Sequence, residues 1–201
     1  MEKSYKQYST NVKNVLDKID YNDLLTIEQL LIGARDKGNK IFIFGNGGSG
    51  GNASHIAGDF VKGANYNQDK KFKFICLNDN YSALSATAND ITYDEIFALQ
   101  LDAFVEPEDL VIGLSGSGNS ENVLRAINLA NKNGAKTVGF SGYTGGKLKD
   151  IAHHSFHVPI NDMEITEDLH LMAFHMIKQS IVLKQSGTLN DMGAQYKNRI
   201  T

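Results

Sequence analysis

The feature that most constrains the fold is a series of short apolar runs that alternate with helical patterns. Residues 41–44, for example, include no polar side chain, so a strand formed there is buried on both faces. Such strands are typical of parallel sheets covered by helices, which predicts an α/β fold. We predict strands at residues 40–44, 72–77, 109–114, 136–140 and 154–158. Helices are predicted at 52–62, 81–88, 93–104, 119–132, 146–152 and 164–185.

Length and composition predict a single domain. The chain has 201 residues, of which 41% are hydrophobic, which is enough for one full core. Two further helices precede the first strand, from about Glu2 to Asp17 and from Asn22 to near Gly38, as an N-terminal helical extension over about residues 1–38. The helical pattern decays after Gln185. Residues 186–201 are therefore expected either to be disordered or to pack on a partner subunit.

Several classes of protein are excluded by charge and composition. The formal net charge is −3 and no basic cluster is present, so we expect neither nucleic acid nor a membrane as partner. The N-terminal residues lack the apolar core of a signal peptide. The single cysteine, Cys76, lies in an apolar strand and cannot form a disulfide framework. We therefore expect a cytoplasmic protein that acts on a small molecule.

A loop of serines and glycines after the third predicted strand is the clearest candidate binding site. Ser115, Gly116, Ser117 and Ser120 lie between this strand and a helical pattern. Hydroxyls and free N–H groups at a helix start favour an anion. The loop has no Lys or Arg, which suits one phosphate on a small molecule better than a polyphosphate. A simple strand-to-helix turn with a helix cap is the alternative.

A second glycine-rich loop follows the first predicted strand. Gly45, Gly47 and Gly50 satisfy the dinucleotide-binding pattern G-x-G-x-x-G. Two helices precede this strand, however, and the nearest suitable acid, Asp79, lies too far along the chain for that fingerprint. Both loops and residues 87–90 would reach the carboxyl edge of a parallel sheet, where α/β proteins bind ligands. This convergence predicts a small-molecule site at that edge.

Imidazole and carboxylate groups occur at helical spacing beside these loops. His55 and Asp59 are four residues apart, so they share a helix face and could hold one metal or one substrate. The last helix carries Glu167 and His175, which are separated by roughly 12 Å along a regular helix. The two reach one ion only if the helix start is irregular or if one comes from another subunit. His170 is left either as surface or as a hydrogen-bonded group, and Asp162 and Asp168 are interpreted as surface.

Taken together, these motifs resemble the sugar-isomerase (SIS) domain family, and specifically bacterial phosphoheptose isomerases. The resemblance covers about residues 20–185 and keeps the order and spacing of each motif. The segments that carry it are residues 45–49, His55 with an acid four residues later, 88–90, 115–120, 142–147, and the helix from Glu167 to His175.

The resemblance implies an aldose–ketose isomerase that converts D-sedoheptulose 7-phosphate to D-glycero-D-manno-heptose 7-phosphate through an enediol. In the family this reaction supplies heptose for lipopolysaccharide, capsule or related surface glycans. The implied fold is a three-layer, flavodoxin- or Rossmann-like α/β sandwich with a five-stranded parallel sheet. The implied assembly is a homotetramer with active sites at subunit interfaces.

The resemblance also implies roles for individual residues. A divalent metal, usually one zinc per subunit, would be surrounded by His55, Asp59, Glu167 and His175. The base and acid roles fall on Asp59 and His175, with Glu167 as a second possible base that also contacts substrate. The remaining substrate contacts would come from Asn46, Gly47, Gly48, Asn89 and Asp90 for the sugar and from Ser115, Gly116, Ser117 and Ser120 for the phosphate.

Four positions depart from the family pattern. Asp59 replaces a glutamate, Glu167 replaces a glutamine, and Gly116 replaces a threonine. Gly63 stands in place of an arginine, which removes a cation near the substrate. These departures leave the substrate and the identity of the base open. The alternatives are an isomerase of another ketose phosphate, or a non-catalytic SIS tetramer that senses sugar phosphates or regulates a replication initiator.

Overall fold

A parallel sheet forms the middle layer of the computed structural model, which describes residues 2–186. Within that range five strands are paired in the order β2-β1-β3-β4-β5. All four neighbouring pairs are parallel. The predicted five-stranded α/β sandwich is therefore confirmed. The strands are β1 (Lys40–Gly45), β2 (Lys73–Cys76), β3 (Leu110–Ser115), β4 (Lys136–Ser141) and β5 (His154–His157).

Helices cover both faces of the sheet. In order, they are α1 (Glu2–Leu16), α2 (Tyr21–Lys37), α3 (Gly47–Gly58), α4 (Tyr81–Asp90), α5 (Ala98–Asp102), α6 (Glu121–Lys132), α7 (Gly146–Ile151) and α8 (Met163–Ser186). A π-helix, Asp59–Ala64, continues α3, and a 3₁₀-helix, Tyr93–Glu95, precedes α5. None of the helices in residues 2–186 is long and apolar enough to span a membrane.

The alternation of side chains along β1 explains the three layers. Ile41 and Ile43 point into one hydrophobic cluster, whereas Phe42 and Phe44 point into the other. All four side chains are fully buried, as the uninterrupted apolar run predicted. Because each face contributes to a separate core, helices must cover both sides of the sheet.

The N-terminal helices pack against the last helix. The Tyr8 hydroxyl donates to Asp168 at 2.6 Å, and this hydrogen bond raises the pKa of Tyr8 to about 12. On α2, the buried Glu28 accepts hydrogen bonds from Ser180 at 2.9 Å and from Lys184 at 2.6 Å. Asp168 is exposed, as predicted, and it also tethers α1. The predicted C-terminal tail lies outside the described residues, which end at position 186.

Three local boundaries differ from the sequence prediction. The glycine-rich segment after β1 is mostly helical, because α3 already begins at Gly47. A Cβ at Gly50 would lie 2.8 Å from the Gly45 carbonyl oxygen, so close packing of this turn requires glycine there. The helix predicted at 93–104 divides into the 3₁₀-helix and α5. The helix predicted at 52–62 changes to π geometry at Asp59, a distortion that local periodicity does not reveal.

Candidate active site

The carboxyl ends of β1 and β3 place two of the predicted loops side by side. Asn46, directly after β1, exchanges two hydrogen bonds with Asn122 on α6, at 2.9 and 3.0 Å. The Tyr93 hydroxyl also donates to the Asn46 side-chain oxygen, at 3.0 Å. Asn46 therefore joins the start of α3 to the start of α6, which follows the serine and glycine loop.

An open cleft of about 230 Å³ lies beside Asn46. Most of the polar side chains that line this cleft lie outside the glycine-rich motifs, so the sequence did not predict them. The polar side chains are Asn46, Asn78, Tyr81, Ser85 and Tyr93. Asn89 and Asp90, which the sequence assigned to the sugar, are exposed in the last turn of α4 and do not line this cleft. The Asn89 amide donates to the Asp90 carboxylate at 2.7 Å.

The serine and glycine loop brings several hydroxyl groups together at the start of α6. The hydroxyl oxygens of Ser115 and Ser120 are 2.9 Å apart, and the Asn119 N–H donates to the Ser117 hydroxyl at 3.2 Å. Ser120 precedes α6 without a capping hydrogen bond from its side chain. The first N–H groups of α6 therefore do not use this side chain as an acceptor. The Met163 sulfur occupies the position that a Cβ at Gly116 would take, so a threonine there would require Met163 to move.

Glu167 lies against the first turn of α3. Its carboxylate occupies the space where a side chain at Gly48 would be, with Oε1 2.8 Å from the position of a Cβ. The Ser49 hydroxyl donates to the same oxygen at 3.3 Å. The Asn52 amide donates to the Glu167 backbone oxygen at 2.9 Å. A carboxylate at a helix N-terminus is favoured by the helix dipole.

Two imidazoles and a carboxylate meet farther along α3 and α8. The Nε2 atoms of His55 and His175 are 3.2 Å apart. Asp59 Oδ2 lies 3.8 Å from His55 Nε2 and 3.5 Å from His175 Nε2. One ligand atom from each of the three residues lies within 4.8 Å of the others. We call these residues the His55–Asp59–His175 group.

The donor chemistry of this group fits a divalent transition metal. Neutral imidazole and carboxylate are ligands of zinc. Burial, together with the nearby His55 and Lys178, lowers the pKa of His175 against the opposing effect of Asp59, and this favours the neutral ring that a metal requires. The structure thus brings three of the four predicted ligands together. Glu167 stays apart, because α8 is regular over Met163–Ser186 and places Glu167 two turns before His175.

A lysine that the sequence did not predict lies beside the His55–Asp59–His175 group. The Lys178 ammonium lies 2.7 Å from Asp59 Oδ2. A Cβ at Gly63 would lie 2.9 Å from Lys178 Cε. A lysine from another helix thus lies beside Gly63, the position at which the resemblance implies an arginine. The spacing of three residues from His175 to Lys178, on one face of α8, was the available signal.

The sequence of this chain is similar to a protein family and to several individual proteins. A family model described as the SIS domain matches residues 5–142. The chain belongs to the SIS domain family. A probable phosphoheptose isomerase of Thermoplasma acidophilum is 38% identical over 164 residues, covering 76% of this chain and 87% of that protein. The phosphoheptose isomerase of Aquifex aeolicus is 35% identical, covering 84% and 88%.

Solved structures agree with the SIS assignment. The phosphoheptose isomerase of Neisseria gonorrhoeae superposes with a TM-score of 0.82 at 25% identity, covering 90% of this chain and 97% of that one. That of Francisella tularensis also has a TM-score of 0.82, at 20% identity, and supports the fold. The family resemblance inferred from the sequence motifs is confirmed.

One histidine near the candidate active site is completely buried. His170, one turn after Glu167 on α8, packs edge-on against Phe140, with ring centroids 5.5 Å apart. Burial lowers the pKa of His170 to about 4. The surface position left open by the sequence is therefore wrong, and neither ring nitrogen of His170 has a hydrogen-bond partner among the described residues.

This burial predicts a pH-dependent stability. The pKa of His170 is lower in the folded state than in the unfolded state, so its contribution is present above about pH 6.5 and is lost as the pH falls towards 4. The loss should approach about 3 kcal/mol at pH 4. Urea unfolding of His170→Leu should show a flatter dependence over this range than the wild type. His154→Gln, at an exposed position, is the control, and an unchanged slope in His170→Leu would contradict the prediction.

Proposed function

We propose that this protein is an aldose–ketose isomerase that converts D-sedoheptulose 7-phosphate to D-glycero-D-manno-heptose 7-phosphate. The observation that carries the proposal is the His55–Asp59–His175 group, in a chain 35–38% identical to phosphoheptose isomerases. A pure binding module has no need for a base, an acid and metal ligands together. The product would supply heptose for surface glycans such as lipopolysaccharide or capsule. Cytoplasmic location stays a prediction.

The serine and glycine loop is proposed to hold the phosphate. Ser115, Gly116, Ser117 and Ser120 would offer hydroxyls and backbone N–H groups, and the start of α6 adds a favourable dipole. Asn46, Gly47 and Gly48 would contact the sugar, because they lie between this loop and Glu167. We retain Asn89 and Asp90 as sugar contacts in the assembled protein.

Isomerisation moves a proton between C1 and C2 of the sugar through an enediol. This requires a base for the carbon-bound proton and an acid for the oxygens. We assign the base to Asp59 and the acid to His175, and Asp59 Oδ2 lies 3.5 Å from His175 Nε2. Glu167, at the N-terminus of α3, is a second carboxylate able to contact substrate or accept the proton.

We propose zinc as the metal of this site, held by His55, Asp59 and His175. When bound, it would polarise the sugar carbonyl and stabilise developing negative charge. Glu167 would complete the set only from a neighbouring subunit, because it lies roughly 12 Å along α8 from His175. We therefore propose a homotetramer with active sites at subunit interfaces, each chain forming one SIS domain over residues 1–201 with an N-terminal helical extension.

A panel of ketose phosphates tests the function directly. Purified protein should turn over sedoheptulose 7-phosphate faster than pentulose or hexulose phosphates. Faster turnover of another ketose phosphate would make it an isomerase of that sugar. Binding without turnover, detected as a rise in melting temperature on addition of the sugar phosphate, would instead identify a non-catalytic sensor.

The phosphate loop predicts a loss of substrate binding in Ser117→Ala. Removing one hydrogen bond to a charged phosphate should cost about 1.5–3 kcal/mol, seen mainly as a raised KM. Ser49→Ala is the matched comparison, because Ser49 donates to Glu167 and lies in the other loop. Wild-type kinetics in Ser117→Ala together with a raised KM in Ser49→Ala would place the phosphate at the glycine-rich segment.

Proton exchange identifies the base. Asp59→Asn should lower turnover by about 10²–10⁴-fold, the usual effect of losing a general base. Glu167→Gln restores the residue usual in the family and should be milder. Exchange of the C1 hydrogen of the ketose with deuterated solvent measures proton abstraction itself. If Asp59→Asn keeps this exchange while Glu167→Gln abolishes it, Glu167 is the base.

A further inference from the structure

Lys178 makes the shortest contact with the carboxylate of the His55–Asp59–His175 group. Its ammonium lies 2.7 Å from Asp59 Oδ2. The two imidazole nitrogens lie 3.5 and 3.8 Å from that oxygen. The Lys178 side chain is only 14% exposed, so neighbouring chain atoms hold its long aliphatic stem in place. A fixed cation therefore shares the oxygen that a metal would use.

Gly63 provides the space for this lysine. A Cβ there would lie 2.9 Å from Lys178 Cε and 3.1 Å from its Nζ, closer than such contacts normally come. Gly63 is not among the glycines with positive φ, so its backbone conformation does not require glycine. A side chain at position 63 would therefore displace the end of the Lys178 side chain.

We propose that Lys178 is a built-in counter-ion of this site, which neutralises Asp59 without metal and competes with a divalent cation for the same oxygen. This inference rests on the metal assignment proposed above. Two positive charges on one carboxylate repel each other. Metal binding then requires the ammonium to move away from Asp59. Lys178 is a positioning residue, since it acts through Asp59.

The test is a titration of chelator-treated full-length protein with Co²⁺, followed by the visible absorption of the bound ion. Lys178→Met should bind Co²⁺ at least about tenfold more tightly than wild type, because one repelling charge is removed. Gly63→Ala should shift affinity in the same direction, because its methyl group displaces Lys178 Cε. Lys178→Arg keeps the charge and should stay near wild type.

Lys184→Met is the matched control on the same helix. It removes another lysine–carboxylate pair, that with Glu28, away from the site. Its Co²⁺ affinity should equal that of wild type, even if its melting temperature falls. Chelator-treated Lys178→Met should also melt below wild type, because Asp59 loses its partner, yet gain more stability from saturating Co²⁺.

The outcomes separate the two proposals. Unchanged or weaker Co²⁺ binding in Lys178→Met would overturn the counter-ion role and leave the metal assignment intact. Absence of Co²⁺ binding in wild type and every variant would overturn both. Binding in Lys178→Met but not in wild type would support the competition in its strongest form.

Discussion

Helix α3 packs against the carboxyl end of β1 so closely that two glycines have no space for a side chain. A Cβ at Gly45 would lie 2.8 Å from a carbonyl oxygen of β3, and one at Gly50 would lie 2.8 Å from the Gly45 carbonyl oxygen. Helix α3 therefore begins directly at the strand end. Its first turn contacts Glu167 at Gly48. Farther along, α3 carries His55, and the π-helix that continues it carries Asp59. The proposed roles of Gly48, His55 and Asp59 depend on this contact.

Helix α8 provides the opposing wall, and aromatic packing fixes its position. Phe174 stacks on Phe140 of β4 with ring centroids 4.6 Å apart, and His170 packs edge-on against the same ring. Since Phe174 is buried, the next residue, His175, is held towards α3. Protein interiors are close-packed, so an imidazole set by such neighbours is positioned without relying on its own hydrogen bonds. The same packing buries His170 and lowers its pKa to about 4.

The departures from the family pattern are related through geometry. The carboxylate of Asp59 is one methylene shorter than glutamate, yet it contacts both imidazoles and the Lys178 ammonium. Because Gly63 has no side chain, the end of the Lys178 side chain fits beside it. Glu167 fills the space above Gly48. Positions that lie far apart along the chain thus meet across the interface of two packed segments.

The sequence by itself determined the strands, the parallel sheet and the family, because buried apolar runs and glycine or serine motifs are local patterns. Helical spacing also paired His55 with Asp59, and the family resemblance added His175. Only the tertiary structure decided that α3 begins at Gly47, that Glu167 stays apart from the group, and that Lys178 joins it. The start of α3 depends on its packing against β1. The other two depend on contacts of α3 and its π-helical continuation with α8, between residues more than 100 positions apart, and no local periodicity records which side chains two packed helices bring together.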